Sequence, residues 1–279
     1  MPAAPDLCAG IVALRALLHK ARTLRRKAPT ADSRVALELF AGSGRLSQAL
    51  IKQGVPSISI DVCSDSRLDL TSTPLINFIQ HLICCGHISF VWLGTPSNSW
   101  FLARRGLAGG YAAGGPLRTN QFLYGHPEAL AREDDKYKIA LGNATMRASA
   151  GIISTCIRHD VPCALENPCG SRLFRVRPIA SLVRHISADS HVCDFCQFGA
   201  PYRKRTRIVF WKTGRCATLD RRCTGAYSEC SATGKPHVLT TAIAEPYPIR
   251  LARESARFIS NILGFARPPV FDLFSDSRS

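Results

Sequence analysis

No stretch of the 279-residue sequence reaches the ~18 consecutive apolar residues that a helical bilayer span requires, so no transmembrane helix is expected. Met1 to Gly10 lacks the basic-then-apolar pattern of a secretory signal, and the expectation is an intracellular protein, nuclear or cytoplasmic, that is not secreted. Cysteine, at 12 residues, falls well below the share of a disulfide scaffold. Without an export signal, most thiols are expected to be free or metal-bound. There is no internal repeat and no low-complexity tract. Acidic residues are scarce: 20 Asp and Glu face 36 Lys and Arg, a net charge of +16. That excess favours a polyanionic partner, nucleic acid first. What is present is a globular composition, 46% hydrophobic and 20% charged, which excludes a mainly disordered or fibrous chain. The length suits one large α/β domain, or one with a small appendage.

Residues 1–30 read as an N-terminal extension. Leu14, Leu17, Leu18, Ala21 and Leu24 fall at helical spacing, and Arg22, Arg25, Arg26 and Lys27 follow before Pro29. This basic helix is expected outside the main fold, as a phosphate contact or as an ordinary solvated face. From residue 31 to 211 the pattern alternates. Val35–Phe40 is a short apolar run, residues 41–44 a glycine turn, Arg45–Gln53 a helix, and Ser57–Ile60 a strand ending at Asp61. Leu75–Ile83 is helical and Ile88–Leu93 a buried strand. A Gly-rich segment, Gly94 to His126, is long enough to mark a functional loop. Lys136–His159 is a long helix, Pro162–Leu165 a strand ending at Glu166, and Ile186–Val192 and Arg207–Trp211 are further strand candidates. The alternation predicts an α/β fold with a parallel sheet and right-handed crossovers. Ligands then bind beyond the carboxyl ends of the strands. Residues 212–240 form a Cys-rich insert, and residues 241–279 carry a closing helix, Tyr247–Phe265, and a flexible tail.

Three strand ends carry the candidate chemistry. The first is Leu37-Glu38-Leu39-Phe40-Ala41-Gly42-Ser43-Gly44, whose glycines permit tight turning and close approach of backbone to a ligand. Asp61, about 20 residues on, can accept hydrogen bonds from ribose hydroxyls. The spacing is not G-x-G-x-x-G, so a dinucleotide is not the preferred ligand. The second end is Gly94-Thr95-Pro96-Ser97-Asn98-Ser99-Trp100, and the third is Glu166-Asn167-Pro168, where a carboxylate can grip the polar edge of a base.

In this order the segments resemble the cytosine-5 DNA methyltransferase family. Phe40 to Gly44 resembles its S-adenosylmethionine segment, Asp61 its ribose-binding acid, and Asp69-Leu70 the segment whose Asp meets the adenine amino group. Gly94-Thr95-Pro96-Ser97 lies where the family has its Pro-Cys nucleophile. Glu166-Asn167-Pro168 resembles the segment whose Glu holds the target cytosine. Phe198-Gly199-Ala200-Pro201 with Arg205-Thr206-Arg207 resembles its G-x-P-Q-x-R-x-R segment, with Tyr202 for the Gln and one extra residue. The match runs from Val35 to Trp211 and is nearest in kind to divergent branches met in mobile elements or viruses. The resemblance implies a Rossmann-like methyltransferase sheet with helices on both faces and the Cys-rich insert where relatives carry target recognition. It implies S-adenosylmethionine as cofactor and DNA as preferred partner. Contacts from Phe40, Ala41, Gly42, Ser43, Gly44, Asp61, Asp69 and Leu70 to the cofactor follow, with Ser97, Glu166, Arg205 and Arg207 as the catalytic set.

The departure is Ser97. The family's Cys thiolate attacks C6 of cytosine, whereas a serine hydroxyl is a poor nucleophile unless a base activates it. No His stands near Ser97 in sequence. Three outcomes stay open: cofactor and nucleic-acid binding with impaired methylation, rescue by Cys169 beside the Glu166 segment, or methylation of an atom that is already nucleophilic.

Cys63, Cys84, Cys85, Cys156 and Cys163 lie in or beside apolar runs and read as core thiols. Cys193, Cys196, Cys223 and Cys230 are the preferred ligands of a structural zinc, with His237 able to replace one. Between Arg203 and Arg222 stand eight Lys or Arg and one acid, Asp220, a tract suited to phosphate contacts or to a solvated strand edge.

Overall fold

The computed structural model describes residues 8–25, 34–100, 115–225, 229–238 and 246–265. The basic residues Arg26 and Lys27, the middle of the loop expected over 94–126, and the expected C-terminal tail lie outside the described residues.

Six strands form one sheet: β1 (Val35–Leu39), β2 (Ser57–Ile60), β3 (Ile88–Leu93), β4 (Cys163–Pro168), β5 (Ala188–Asp194) and β6 (Arg205–Trp211), in the order β2-β1-β3-β4-β6-β5. β1 pairs parallel with β2 and β3, and β3 parallel with β4. The parallel sheet expected from the alternation holds for β1 to β4, and β6 departs from it by running antiparallel to both β4 and β5. The reason is local. β5 and β6 are joined only by residues 195–204, through a short 3-10 turn that ends at Gly199 with φ 89°. A connection that short returns the chain as a hairpin, since a parallel neighbour needs a longer crossover.

Side-chain alternation along the strands sorts the core into two layers. Val35, Leu37 and Leu39 of β1, Val91 and Leu93 of β3, and Leu165 of β4 face one layer. Ala36, Phe90, Trp92 and Ala164 face the other. The first layer is covered by α1 (Ala9–Arg25), α3 (Thr73–Cys84), α5 (Glu133–Arg158) and α6 (Arg177–Val183), with α4 (Pro127–Leu130) beside α5. The second is covered by α2 (Arg45–Lys52) and α7 (Ile249–Ile262). α2 buries Leu46, Ala49 and Leu50, and α7 buries Leu251, Ala252, Ser255, Ala256 and Ile259, the spacing of a single helical stripe. α5 opens with Glu133, Asp134 and Asp135 and closes with Arg158, which suits the helix dipole at both ends. The expected helices on both faces are thus present.

α1 is not a detached extension. Ala13, Leu14 and Leu18 are buried in the first layer, and a Cβ on Gly10 would meet the Arg67 carbonyl oxygen at 2.5 Å. Among the expected core thiols, Cys156 and Cys163 are buried, but Cys63, Cys84 and Cys85 are exposed at helix or loop ends. Among the described residues no helix is long and apolar enough to cross a membrane.

Candidate functional site

The carboxyl ends of β2, β1, β3 and β4 lie side by side, so Asp61, Gly42, Ser97 and Glu166 emerge along one edge of the sheet in that spatial order. β1 leads into a turn with three left-handed residues, Phe40 (φ 56°), Gly42 (φ 52°) and Gly44 (φ 63°). Phe40 carries a real backbone cost there, because L side chains disfavour that region. The Gly42 amide donates to Asp61 Oδ2 at 2.8 Å, and the Cys63 amide donates to Oδ1 at 2.8 Å. Two backbone donors therefore aim the carboxylate, and each oxygen keeps a lone pair for a ligand hydroxyl. A Cβ on Gly42 would meet nothing within 4 Å, so the space above the turn is open. Ala41 is buried, Phe40 half-buried and Ser43 exposed. Asp69 accepts the amide and hydroxyl of Thr71 in a local turn, and Leu70 is a core residue.

Glu38, absent from the expected set, is fully buried, and its Oε2 accepts the Ser47 amide at 2.6 Å. Burial raises its pKa, and the Ser47 hydrogen bonds pull the other way. Its carboxyl thus occupies the first turn of α2, the place where a pyrophosphate binds in dinucleotide folds. Its Oε1 is buried without a partner among the described residues.

Behind β3, Thr95 hydrogen-bonds Ser149 of α5 at 2.7 Å, and Asn167 Nδ2 donates to the Thr95 carbonyl at 2.6 Å. The Trp100 amide donates to the Ser97 carbonyl at 2.9 Å. Ser97 is half-buried, and among the described residues no base hydrogen-bonds its hydroxyl. Arg118 locks this loop from beneath. It is 1% exposed and stacks 3.6 Å over Trp100. Its guanidinium donates to Ser99 O and Oγ, Leu123 O, Asn143 Oδ1 and Ile139 O. All its acceptors are uncharged, and burial brings its pKa down to about 10. A Cβ on Gly142 of α5 would collide with Ser99 Oγ, so α5 needs glycine where the loop crosses it.

Glu166 is 5% exposed. Its Oε2 accepts the Tyr247 hydroxyl at 3.1 Å, and that hydroxyl accepts the Trp92 indole N–H at 3.1 Å. Glu166 Oε1 is buried without a partner among the described residues. Burial, and then the Glu166 charge, push the Tyr247 hydroxyl well above the ordinary tyrosine range. A Cβ on Gly94 would lie 2.7 Å from the Tyr247 oxygen, so this tyrosine joins the β3 and β4 tips. Its only sequence signal was its place between Pro246 and Pro248.

Arg205 and Arg207 do not converge on Glu166. Register pairs Glu166 with Ile208 and Asn167 with Arg207, so both arginines project from the opposite face. Arg205 grips Asp194 through Nε and NH2, at 3.0 and 2.8 Å. Arg207 donates to Ser190 Oγ at 2.9 Å and lies over the Phe174 ring. The Cys169 amide donates to the Arg205 carbonyl at 3.0 Å. Much of the basic tract is paired internally: Arg203 and Arg205 with Asp194, Lys212 with Asp160, Arg215 with Asp220, and Arg221 with Glu254.

Ligand atoms of Cys196, Cys223, Cys230 and His237 all lie within 4.8 Å of one another. Cys193, in the expected ligand set, is instead buried in the second core layer, and burial pushes its thiol up. Strand alternation decides this: Cys193 pairs with the buried Thr206 at the end of β5, and Cys196 lies in the turn beyond. His237 takes the fourth place. Cys230 and His237 flank a tight turn closed by the Glu229–Pro236 bridge and a Cys230 N–H to Lys235 carbonyl bond of 2.8 Å. Burial raises the Cys223 thiol, but donors on Ser231 and Gly225 outweigh it and bring it down to about 6. Three thiols and an imidazole this close offer the number and types of donor that zinc takes.

No protein-family model matches the chain, and no curated protein matches it. Among solved structures it is similar to the Entamoeba histolytica methyltransferase EhMeth, at 12% identity and TM-score 0.38, over 65% of this chain and 53% of that one. It is also similar to the S. pombe Dnmt2 methyltransferase, at 12% identity and TM-score 0.37, over 66% and 51%. The chain therefore spans about half the length of these two structures.

Proposed function

We propose that this chain is an S-adenosylmethionine-dependent protein of the cytosine-5 methyltransferase type that acts on nucleic acid, DNA in preference to RNA, with its cytosine chemistry impaired by Ser97. The observation that carries this reading is Asp61, a carboxylate aimed by two backbone amides at the mouth of an open glycine turn. That arrangement suits a pair of ribose hydroxyls. Glu38 at the first turn of α2 adds a second carboxyl, which fits a cofactor with a cationic sulfonium better than one with a pyrophosphate. Phe40, Ala41, Gly42, Ser43, Gly44, Asp69 and Leu70 complete the cofactor set. When bound, the cofactor supplies an electrophilic methyl group. Glu166, fixed through Tyr247, is the residue that holds the base. The net charge of +16 supports a polyanionic partner. The Cys196, Cys223, Cys230 and His237 group is read as a structural zinc site in the adjoining lobe.

Ser97 offers a hydroxyl where the family has a thiolate, and a hydroxyl adds slowly to C6 unless a base activates it. The test measures methyl transfer to cytosine in duplex DNA by the wild-type protein and by Ser97→Cys. Weak transfer by the wild type and a gain of at least about tenfold, ~1.4 kcal/mol of barrier, in Ser97→Cys are expected. Full wild-type transfer that Ser97→Ala leaves unchanged and Cys169→Ala abolishes would overturn the role of Ser97 in favour of Cys169. Cofactor and DNA binding without transfer by either protein would favour a non-catalytic zinc-stabilised nucleic-acid-binding protein, which a hydroxyl at position 97 also fits.

A further inference from the structure

We infer that the Cys3His lobe is wired to the β4 tip through Asp194, so that zinc in the lobe sets the position of the segment carrying Glu166. The inference rests on reading the four residues as a zinc site.

The wiring can be followed atom by atom. Asp194 ends β5, and its side chain is fully buried. Its Oδ2 accepts the amide of the ligand Cys223 at 2.8 Å, and the same carboxylate takes both Arg205 bonds. Arg203 NH2 donates to the Cys223 carbonyl at 3.0 Å, so the peptide groups on both sides of this ligand are held by one acid and one base. Arg205 lies in β6, and its carbonyl accepts the Cys169 amide directly after Glu166-Asn167-Pro168. Ligand Cys196 sits in the turn that follows Asp194. The Asp194 amide donates to the Arg221 carbonyl at 2.8 Å, and the Val238 amide beside His237 donates to the Pro201 carbonyl at 2.8 Å. The lobe is therefore tied to β5, to β6 and to the turn between them.

A free-standing metal knuckle would show none of this. Outer-shell groups that orient ligands share the burden of holding the metal, and the coupling works in both directions. With zinc present, Cys223 is fixed, Asp194 keeps its bonds to both Cys223 and Arg205, and the end of β6 holds residue 169. With zinc removed, residues 223–238 lose their main cross-link, because a segment this polar buries little apolar surface. Asp194 then loses the Cys223 amide, and the junction between β6 and the 166–172 segment loosens.

The experiment compares amide exchange in the full chain as purified, after zinc removal by chelator, and in Asp194→Asn reloaded with zinc. About one equivalent of zinc is expected in the wild-type protein, and Co2+ replacing it should give a thiolate charge-transfer band. Zinc removal should speed exchange at 166–172 and 205–211 as well as in the lobe itself, at 196–199 and 216–238. Asp194→Asn should hold zinc roughly 10–100-fold more weakly. When loaded it should keep the Co2+ band yet show the faster exchange at 166–172. Arg205→Lys, which keeps one of the two bonds, should fall between. Faster exchange confined to 196–199 and 216–238 after zinc removal, with 166–172 and 205–211 unchanged, would overturn the wiring while leaving the zinc site standing, and this arm needs no variant to fold. Less than about half an equivalent of zinc and no Co2+ band would overturn the site itself.

Discussion

Replacing Tyr247 with Phe removes a single oxygen from the point where the β3 and β4 tips meet. The ring stays, with its edge contacts to Trp92 and Phe195 at 6.0 and 6.4 Å between centroids. Two hydrogen bonds go: Trp92 Nε1 to the hydroxyl, and the hydroxyl to Glu166 Oε2. Trp92 is 2% and Glu166 5% exposed, so neither can turn to water for a substitute. A neutral bond of this kind contributes about 0.5–1.5 kcal/mol and one to a charged group about 1.5–3, which puts the loss at about 2–4.5 kcal/mol. Urea unfolding followed by tryptophan fluorescence should show a lower midpoint with an unchanged slope, because the surface exposed on unfolding is the same. The pH dependence supplies a second readout. Burial, and then the Glu166 charge, hold the Tyr247 proton on well above the ordinary range. The folded protein therefore keeps a proton that the unfolded chain gives up above roughly pH 10. This contribution is complete below the unfolded tyrosine pKa and is lost as pH rises beyond it. Wild-type stability should fall in that alkaline window more steeply than that of Tyr247→Phe. A loss smaller than about 0.5 kcal/mol, within the usual range for a surface substitution, together with parallel alkaline profiles, would refute the network.

Two further outcomes follow from the packing. Arg118→Lys keeps the charge but offers three donors where five are in use, so it should cost about 2–4 kcal/mol in chemical denaturation, with faster proteolysis in the 94–126 loop. Leu14→Ala should cost about 2–5 kcal/mol if α1 belongs to the core, as its complete burial indicates, and a cost near zero would return α1 to the status of an appendage.

The elements with strong local signals were legible in the sequence. The buried runs of β1, β3 and β4, the stripe of α7 and the turn from Phe40 to Gly44 follow from hydrophobic pattern and glycine placement alone. The direction of β6 was not, because the strand pattern is the same either way and only the shortness of the 195–204 connection decides it. The amphipathic face of α1 could be read, but not what it packs on. Arg118 and Tyr247 take their roles from contacts that only the fold creates, whereas Glu38 meets Ser47 nine positions on and carries no motif that would single it out in sequence. The Tyr247 hydroxyl meets residues 81 and 155 positions away. Of the Cys3His group proposed to hold zinc, Cys196, Cys223 and Cys230 stand in the expected set and His237 is its named substitute. The C-x-x-C spacing drew in Cys193, whereas the pleat at the end of β5 turns its thiol into the core and leaves the fourth place to His237. Arg205 stands in a recognisable motif, yet the register of β6 sends it to Asp194.

At the centre of the account stands the claim that the tips of β1 and β2 form a pocket for S-adenosylmethionine with Asp61 as its ribose anchor. Titration calorimetry of the cofactor into the full chain tests it most directly. The account predicts saturable one-to-one binding, weakened at least about tenfold, or ~1.4 kcal/mol, in a folded Asp61→Asn variant. No binding heat in the wild-type protein, or equal affinity in the two, would contradict it.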